Sequence, residues 1–178
     1  MKSPPAQQPE SLKSQTLCAR GHIDTPMGVM TALASAKGLA ALLFDNDKHH
    51  QGPHDAVPLD EQHPQVLAAR HWLQAYWAGL WPDPAALPLD LAGSAFQRAV
   101  WAVLLNIPQG RTWTYGQVAQ QVGNGAVPRA TGTAIGRNPV AILVPCHRVI
   151  GANGSLTGYA GGLPRKERLL QHEGVLLT

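Results

Sequence analysis

The sequence predicts an α+β fold, with a lobe of antiparallel sheet plus one helix preceding a mostly helical lobe. Short β-rich runs punctuated by Pro and Gly occupy the first part, and amphipathic helical periodicities occupy the second half. Between them "WPDPAALPLDLAG" (81–93) carries Pro82, Pro84 and Pro88 and no periodicity, the mark of a connector. The expected organisation is a disordered tail over 1–14, an N-terminal α/β lobe over 15–81, a linker over 82–93 and a C-terminal lobe over 94–178.

Residues 1–14 are rich in Pro, Gln and Ser, a composition that buries too little apolar surface to fold. From Thr16, "TLCARGHIDTPMGVMTALASAKGLAALLFD" reads as short strands broken at "DTPMG" and "AKG". A polar loop follows with His49, His50, His54 and His63; their spacing matches no standard site, so a surface loop and no metal are expected. "PQVLAARHWLQAYWAGL" (64–80) is a helix with Pro64 near its start, Val66, Leu73, Trp77 and Leu80 on one face, and Pro82 as its stop. Beyond the linker, "SAFQRAVWAVLLNI" is a helix capped by Ser94, with Phe96, Val100 and Leu104 in one row. "TYGQVAQQVG" and "PRATGTAIGRN" are two short helices joined by a Gly-Asn-Gly turn, the outline of a helix-turn-helix. "AILVP" is a buried extended run, "GANGSLTGYAGG" a hairpin or loop, and "PRKERLLQHEG" a closing helix.

Composition narrows the function classes. A formal charge of +3 permits a polyanionic partner without demanding one. Cys18 and Cys146 form no C-x-x-C pair, so neither a zinc knuckle nor a disulfide framework is expected, in keeping with a reducing cytoplasm. The chain shows no signal-peptide pattern at its start and no long apolar run, so a soluble protein with no membrane association is expected.

Cys146 stands in "AILVPCHRVIG" between an apolar run and a His-Arg pair. A thiol with a pKa of about 8.5 is only a few per cent thiolate at neutral pH, and the thiolate is the nucleophile. A working cysteine needs a base, cation or dipole beside it, and His147 and Arg148 are candidates. The alternative is a core cysteine on a strand edge with two solvated neighbours. Adjacent side chains of a strand diverge, so His147 serves Cys146 only if Pro145 breaks the strand or a water bridges the pair. "HEG" offers Glu173 to orient the imidazole. The second short helix shows a small face, Ala130 to Ala134, suited to a nucleic-acid groove or to tight helix packing; Arg129 is either a probe into a duplex or a solvated charge. "GYAGGLPRK" can wrap a flat ring but lacks the phosphate-loop pattern.

Together, "RNPVAILVPCHRVIG", "GYAGG" and "KERLLQHEG" at this spacing resemble the O6-alkylguanine-DNA alkyltransferases, also called methylated-DNA–protein-cysteine methyltransferases, with "PCHRV" as the active-site signature. The resemblance runs from Phe96 to Gly174, and "IDTPMG" with its strand-then-helix order is similar to the bacterial constitutive members. It implies a helix-turn-helix-like DNA-binding motif and an active-site loop in the C-terminal lobe. The implied partner is double-stranded DNA with an alkylated guanine, and the implied protein is a cytoplasmic monomer needing no cofactor.

Residue by residue, the resemblance makes Cys146 the alkyl acceptor, His147 its base through a water, and Glu173 the holder of the imidazole. Asn138 stiffens the turn bearing the cysteine, and Tyr115 sits beside the rotated phosphate and gives a proton to the departing guanine. Arg129 fills the gap left by the flipped nucleotide, while Asn124, Ala130, Gly132 and Arg137 join the DNA face, with the helix 128–137 in the minor groove. Val149, Tyr159, Ala160 and Gly161 surround the alkylated base; Ala160 stands where some relatives have serine. Two rival readings are a non-catalytic damaged-base binder of the alkyltransferase-like type, which lacks the signature cysteine, and a hydrolytic thiol enzyme working through a thioester.

Overall fold

The computed structural model describes residues 12, 15–50, 54–123 and 125–175. The expected tail, Leu12 apart, and Asn124 therefore lie outside the described residues. The first half is an antiparallel meander of β1 (Leu17–Thr25), β2 (Gly28–Ser35) and β3 (Leu39–Phe44), in that spatial order. β3, "LAALLF", is buried throughout. Its outer edge is not left open. Leu39 N donates to Pro88 O and Asp90 N to Leu39 O, both at 2.9 Å, so the connector pairs with its start. Leu42 N donates to Pro139 O at 2.8 Å and Ala141 N to Leu42 O at 2.9 Å, so the stretch leading to Cys146 pairs with its end.

Helix α1 (Pro64–Trp77) begins with Pro64 as its first residue and His63 as its cap, whose Nδ1 accepts from Gln65 N at 3.3 Å. It buries Val66, Ala69, Trp72, Leu73 and Tyr76. Two expectations are corrected here. Gly79, with φ 74°, ends the helix ahead of Pro82, as Leu80 N reaches back to Ala75 O at 3.0 Å. The left-handed turn also throws Leu80 outward, 72% exposed rather than in the apolar row.

In the second half, α2 (Ala95–Leu104), α3 (Tyr115–Val122) and α4 (Pro128–Gly136) pack on one another, and α5 (Leu163–His172) closes the chain. Ser94 caps α2 reciprocally with Gln97, and Thr114 does the same for α3 with Gln117. Val100 and Leu104 are buried as expected, but Phe96, in the first turn of α2, is 37% exposed over a groove shared with Arg129. Trp101 Nε1 donates to Ala134 O at 2.9 Å, tying α2 to α4. Two short strands absent from the sequence reading, β4 (Trp113–Thr114) and β5 (Val149–Ile150), pair in parallel.

Residues 141–145 were expected to be extended; they are buried but turned. Ile142 has φ 70°, Val144 N donates to Val140 O at 3.0 Å, and Cys146 N to Val144 O at 2.8 Å. With Leu42 holding residues 139 and 141, the chain reverses at once and satisfies its backbone locally. One apolar cluster includes Leu42 and Tyr76 from the first half and Trp101, Val140 and Leu169 from the second. Among the described residues no helix is long and apolar enough to cross a membrane.

Candidate active site

The turn at 141–145 delivers Cys146 onto a single 3-10 turn, Cys146–Arg148, rather than a strand. Cys146, His147 and Arg148 therefore fan out to different partners. Asn138, two residues beyond α4, sets the turn: its Oδ1 accepts from Val140 N at 3.0 Å, and its Nδ2 donates to Val144 O at 2.8 Å and to Cys146 Sγ at 3.1 Å. An amide donor on the sulfur favours the thiolate.

His147 is fully buried, and its Nε2 meets Glu173 Oε1 at 2.7 Å. A carboxylate only accepts, so Nε2 carries the proton and Nδ1 presents a lone pair. That Nδ1 is buried with no protein partner. Burial pushes His147 below its ordinary pKa in spite of the carboxylate beside it, which keeps the ring neutral.

Glu173 follows α5 and is buried, unlike a typical late-helix glutamate. Burial alone would raise its pKa, but His147 and Arg148 overcome that and hold it well below the usual carboxylate range. Arg148 donates to it from Nε at 2.8 Å and from Nη2 at 3.0 Å, and gives Nη1 to Ile107 O at 2.6 Å. Arg148 is thus corrected from a thiol activator to a clamp on Glu173. Tyr76, on α1, adds its hydroxyl to Glu173 Oε1 at 2.8 Å.

The thiol at rest is the reverse of the low-pKa cysteine suggested by its cationic neighbours. Burial pushes Cys146 up to about 11, against the Asn138 amide and the charge of Lys166. The residue is 8% exposed and lines a small, narrow hollow. Asp47, Asn138, Ala141, Tyr159, Ala160 and Gly161 are among its walls. Gly161 is required there: a Cβ would fall 2.9 Å from Tyr159 Cε1 and 3.1 Å from Phe44 Cδ2.

Val149, expected to offer its carbonyl to the base, is buried beside this hollow's turn, and its oxygen accepts from Lys166 Nζ at 2.5 Å. Lys166 is fully buried and also holds Thr157 O at 2.8 Å and Gly158 O at 3.3 Å, which fixes the glycine-rich loop; burial brings its pKa down to about 8. Tyr115, the first residue of α3, donates to the same Thr157 O at 2.7 Å. Sequence reasoning missed Lys166, Tyr76 and Asp47. A lysine in "RKER" and a tyrosine in "QAYW" look like ordinary helix residues until the fold turns them inward.

The nucleic-acid candidates lie on the face carrying α4. Arg129 and Ala130 are exposed at its first turn, and Pro128 serves as the first helical residue. Gly132 backs onto the Tyr115 ring, where a Cβ would sit 3.4 Å from Cδ1. Arg137 caps the far end and lends its carbonyl to His50 Nε2 at 3.1 Å. His54 Nε2 bonds His50 O at 3.3 Å, His49 lies against Gly136, and His63 caps α1. Among the described residues no group of three or more His, Cys, Asp or Glu is placed to hold a metal ion.

Residues 95–175 match the family described as "6-O-methylguanine DNA methyltransferase, DNA binding domain". A methylated-DNA–protein-cysteine methyltransferase of Mycolicibacterium paratuberculosis is 44% identical over 152 residues, covering 85% of this chain and 89% of that one. One of the same name from Shigella flexneri is 53% identical over 105 residues, a match spanning 59% of this chain and 61% of the relative. The crystal structure of Mycobacterium tuberculosis OGT in complex with DNA superposes with a TM-score of 0.78 at 40% identity, covering 88% of this chain and 93% of that one. A thiol lining a small hollow, an adjacent imidazole fixed on a buried carboxylate, and relatives matched over most of their length lead to one conclusion: the chain belongs to the methylated-DNA–protein-cysteine methyltransferase family.

Proposed function

We propose that this protein repairs double-stranded DNA by moving the alkyl group, methyl above all, from guanine O6 irreversibly onto Cys146 Sγ, once per molecule. Thymine O4 is a second acceptable donor. The observation that carries the reading is Cys146 Sγ at the wall of the hollow, one residue from an imidazole whose Nε2 is fixed on Glu173 and whose Nδ1 is unpartnered.

The alkyl group of a damaged guanine lies inside the base stack, so the nucleotide must swing out at a cost of a few kcal/mol. The small face of α4 lets the protein approach the minor groove closely, and Arg129 fills the gap. Ala130, Gly132 and Arg137 join the same DNA contact. The base enters between Cys146 and the loop carrying Tyr159, Ala160 and Gly161, whose backbone holds its edge; Val149, its carbonyl taken by Lys166, is not among the walls of the hollow. Ala160 offers its backbone N–H but no hydroxyl.

The thiol proton passes through a water to His147 Nδ1, and Glu173 stabilises the charged ring. Sulfur then attacks the alkyl carbon. The C–S bond forms as the C–O6 bond breaks, its electron pair goes to the purine, and Tyr115 supplies the proton the base takes up. The Tyr115 phenolate then regains a proton from solvent as His147 gives one up, so the net reaction moves the alkyl group to sulfur and one proton to guanine. A thioether has no carbonyl for water to attack, so nothing resets the enzyme. A displacement of this kind needs no cofactor, and the protein is assigned to the cytoplasm as a monomer.

Incubation with a duplex bearing one O6-methylguanine should add one methyl mass to the peptide holding Cys146 and to no other. An unchanged peptide mass from folded protein rejects the reading. Base binding without transfer would favour the non-catalytic alternative, which the presence of Cys146 disfavours.

A further inference from the structure

We propose that Asp47 makes the hollow selective for the charge of the adduct, so that neutral and cationic substituents on guanine O6 are accepted and anionic ones refused. The inference rests on the alkyl-transfer reading above.

Asp47 comes from the first half of the chain, just after β3, yet it lines the same hollow as Cys146, Ala141 and Tyr159. It is only 5% exposed. Its Oδ1 accepts from the backbone N–H groups of His49 at 2.9 Å and His50 at 3.0 Å. Its Oδ2 has no protein partner among the described residues. The segment bearing it is tied down on both sides of the hollow: Lys48 N donates to Ala160 O at 3.4 Å, and the His50 ring bonds Arg137 O at 3.1 Å. The carboxylate is therefore a fixed wall, not a swinging surface group.

Nothing on the other walls offsets it, since they are apolar, amide, phenol or thiol. The nearby cations face elsewhere. Lys166 Nζ is spent on the carbonyls of Val149, Thr157 and Gly158, Arg148 on Glu173, and Arg165 on those of Met27, Asp45 and Gly161. The charge of Asp47 reaches the thiol, where it adds to burial in keeping Cys146 protonated, although Lys166 acts there in the opposite sense and more strongly. An anionic substituent entering this water-poor space meets a like charge that solvent cannot screen. An ammonium or hydroxyl substituent instead finds an acceptor in Oδ2.

The test measures single-turnover transfer from duplexes bearing O6-methyl-, O6-carboxymethyl- and O6-(2-aminoethyl)guanine. The parent protein should react with the aminoethyl adduct at least about tenfold faster than with the carboxymethyl one. Asp47→Asn keeps an oxygen for the two backbone donors and removes the charge, so the aminoethyl-to-carboxymethyl ratio should fall about tenfold. A role in packing alone would slow both adducts together and leave that ratio in place. A ratio near one in the parent, or a ratio in Asp47→Asn within twofold of the parent, overturns the proposal. The parent's own ratio needs no variant and decides the matter should Asp47→Asn fold poorly. Failure of the parent to transfer methyl would sink the underlying reading, whereas methyl transfer without charge preference sinks this inference alone.

Discussion

At the scale of single residues, the site holds a protonated sulfur and a neutral imidazole. With its pKa pushed up to about 11, Cys146 without DNA should meet a small neutral alkylating reagent slowly. Its labelling should rise about tenfold per pH unit between pH 7 and 10, following the thiolate fraction. Peptide mass spectrometry reads this directly, and a rate already level at pH 7 would show that the thiol is ionised at rest. Cys146 stands out in the sequence as the candidate nucleophile because "PCHRV" places sulfur and imidazole side by side. The electrostatics were not legible there. Adjacent letters suggested that Arg148 faces the thiol, whereas the 3-10 turn sends it to Glu173 and Ile107 O. Ionisation depends on burial and side-chain direction, which a one-dimensional neighbourhood does not contain.

At the scale of elements, α1 reaches from the first half of the chain into the chemistry of the second. Tyr76 brings its hydroxyl to the carboxylate oxygen that also holds His147. Tyr76→Phe should cost about 1.5–3 kcal/mol of stability in urea denaturation, the usual worth of a hydrogen bond to a charged group. It should also slow methyl transfer, because Oε1 loses one of the donors that fix its position. A variant as stable and as fast as the parent would show that the contact is idle. The helices themselves were readable from capping residues and periodicity, as Ser94 and Pro64 show. Their ends were less so, because Gly79 in a left-handed turn acts before Pro82 can. The turned stretch 141–145 was hidden for a related reason: five apolar residues look alike whether extended or coiled, and the choice is made by Leu42 and Asn138, distant in sequence or acting through a side chain.

At the scale of the whole molecule, the apolar cluster runs unbroken from the meander to α5. The connector is no loose tether, since Leu87 is buried and residues 88–90 pair with β3. Thermal unfolding followed by far-ultraviolet dichroism and by tryptophan fluorescence should therefore give one coincident transition. Two resolved transitions would mean that the halves fold as separate units. Because Leu42 grips the chain on either side of Val140, a few residues ahead of the sulfur, any slackening of the meander is passed on as a misplaced nucleophile. Inactivating substitutions need not cluster around position 146; some will sit in the sheet, giving a protein that still recognises damage yet arrives with its reagent aimed wide.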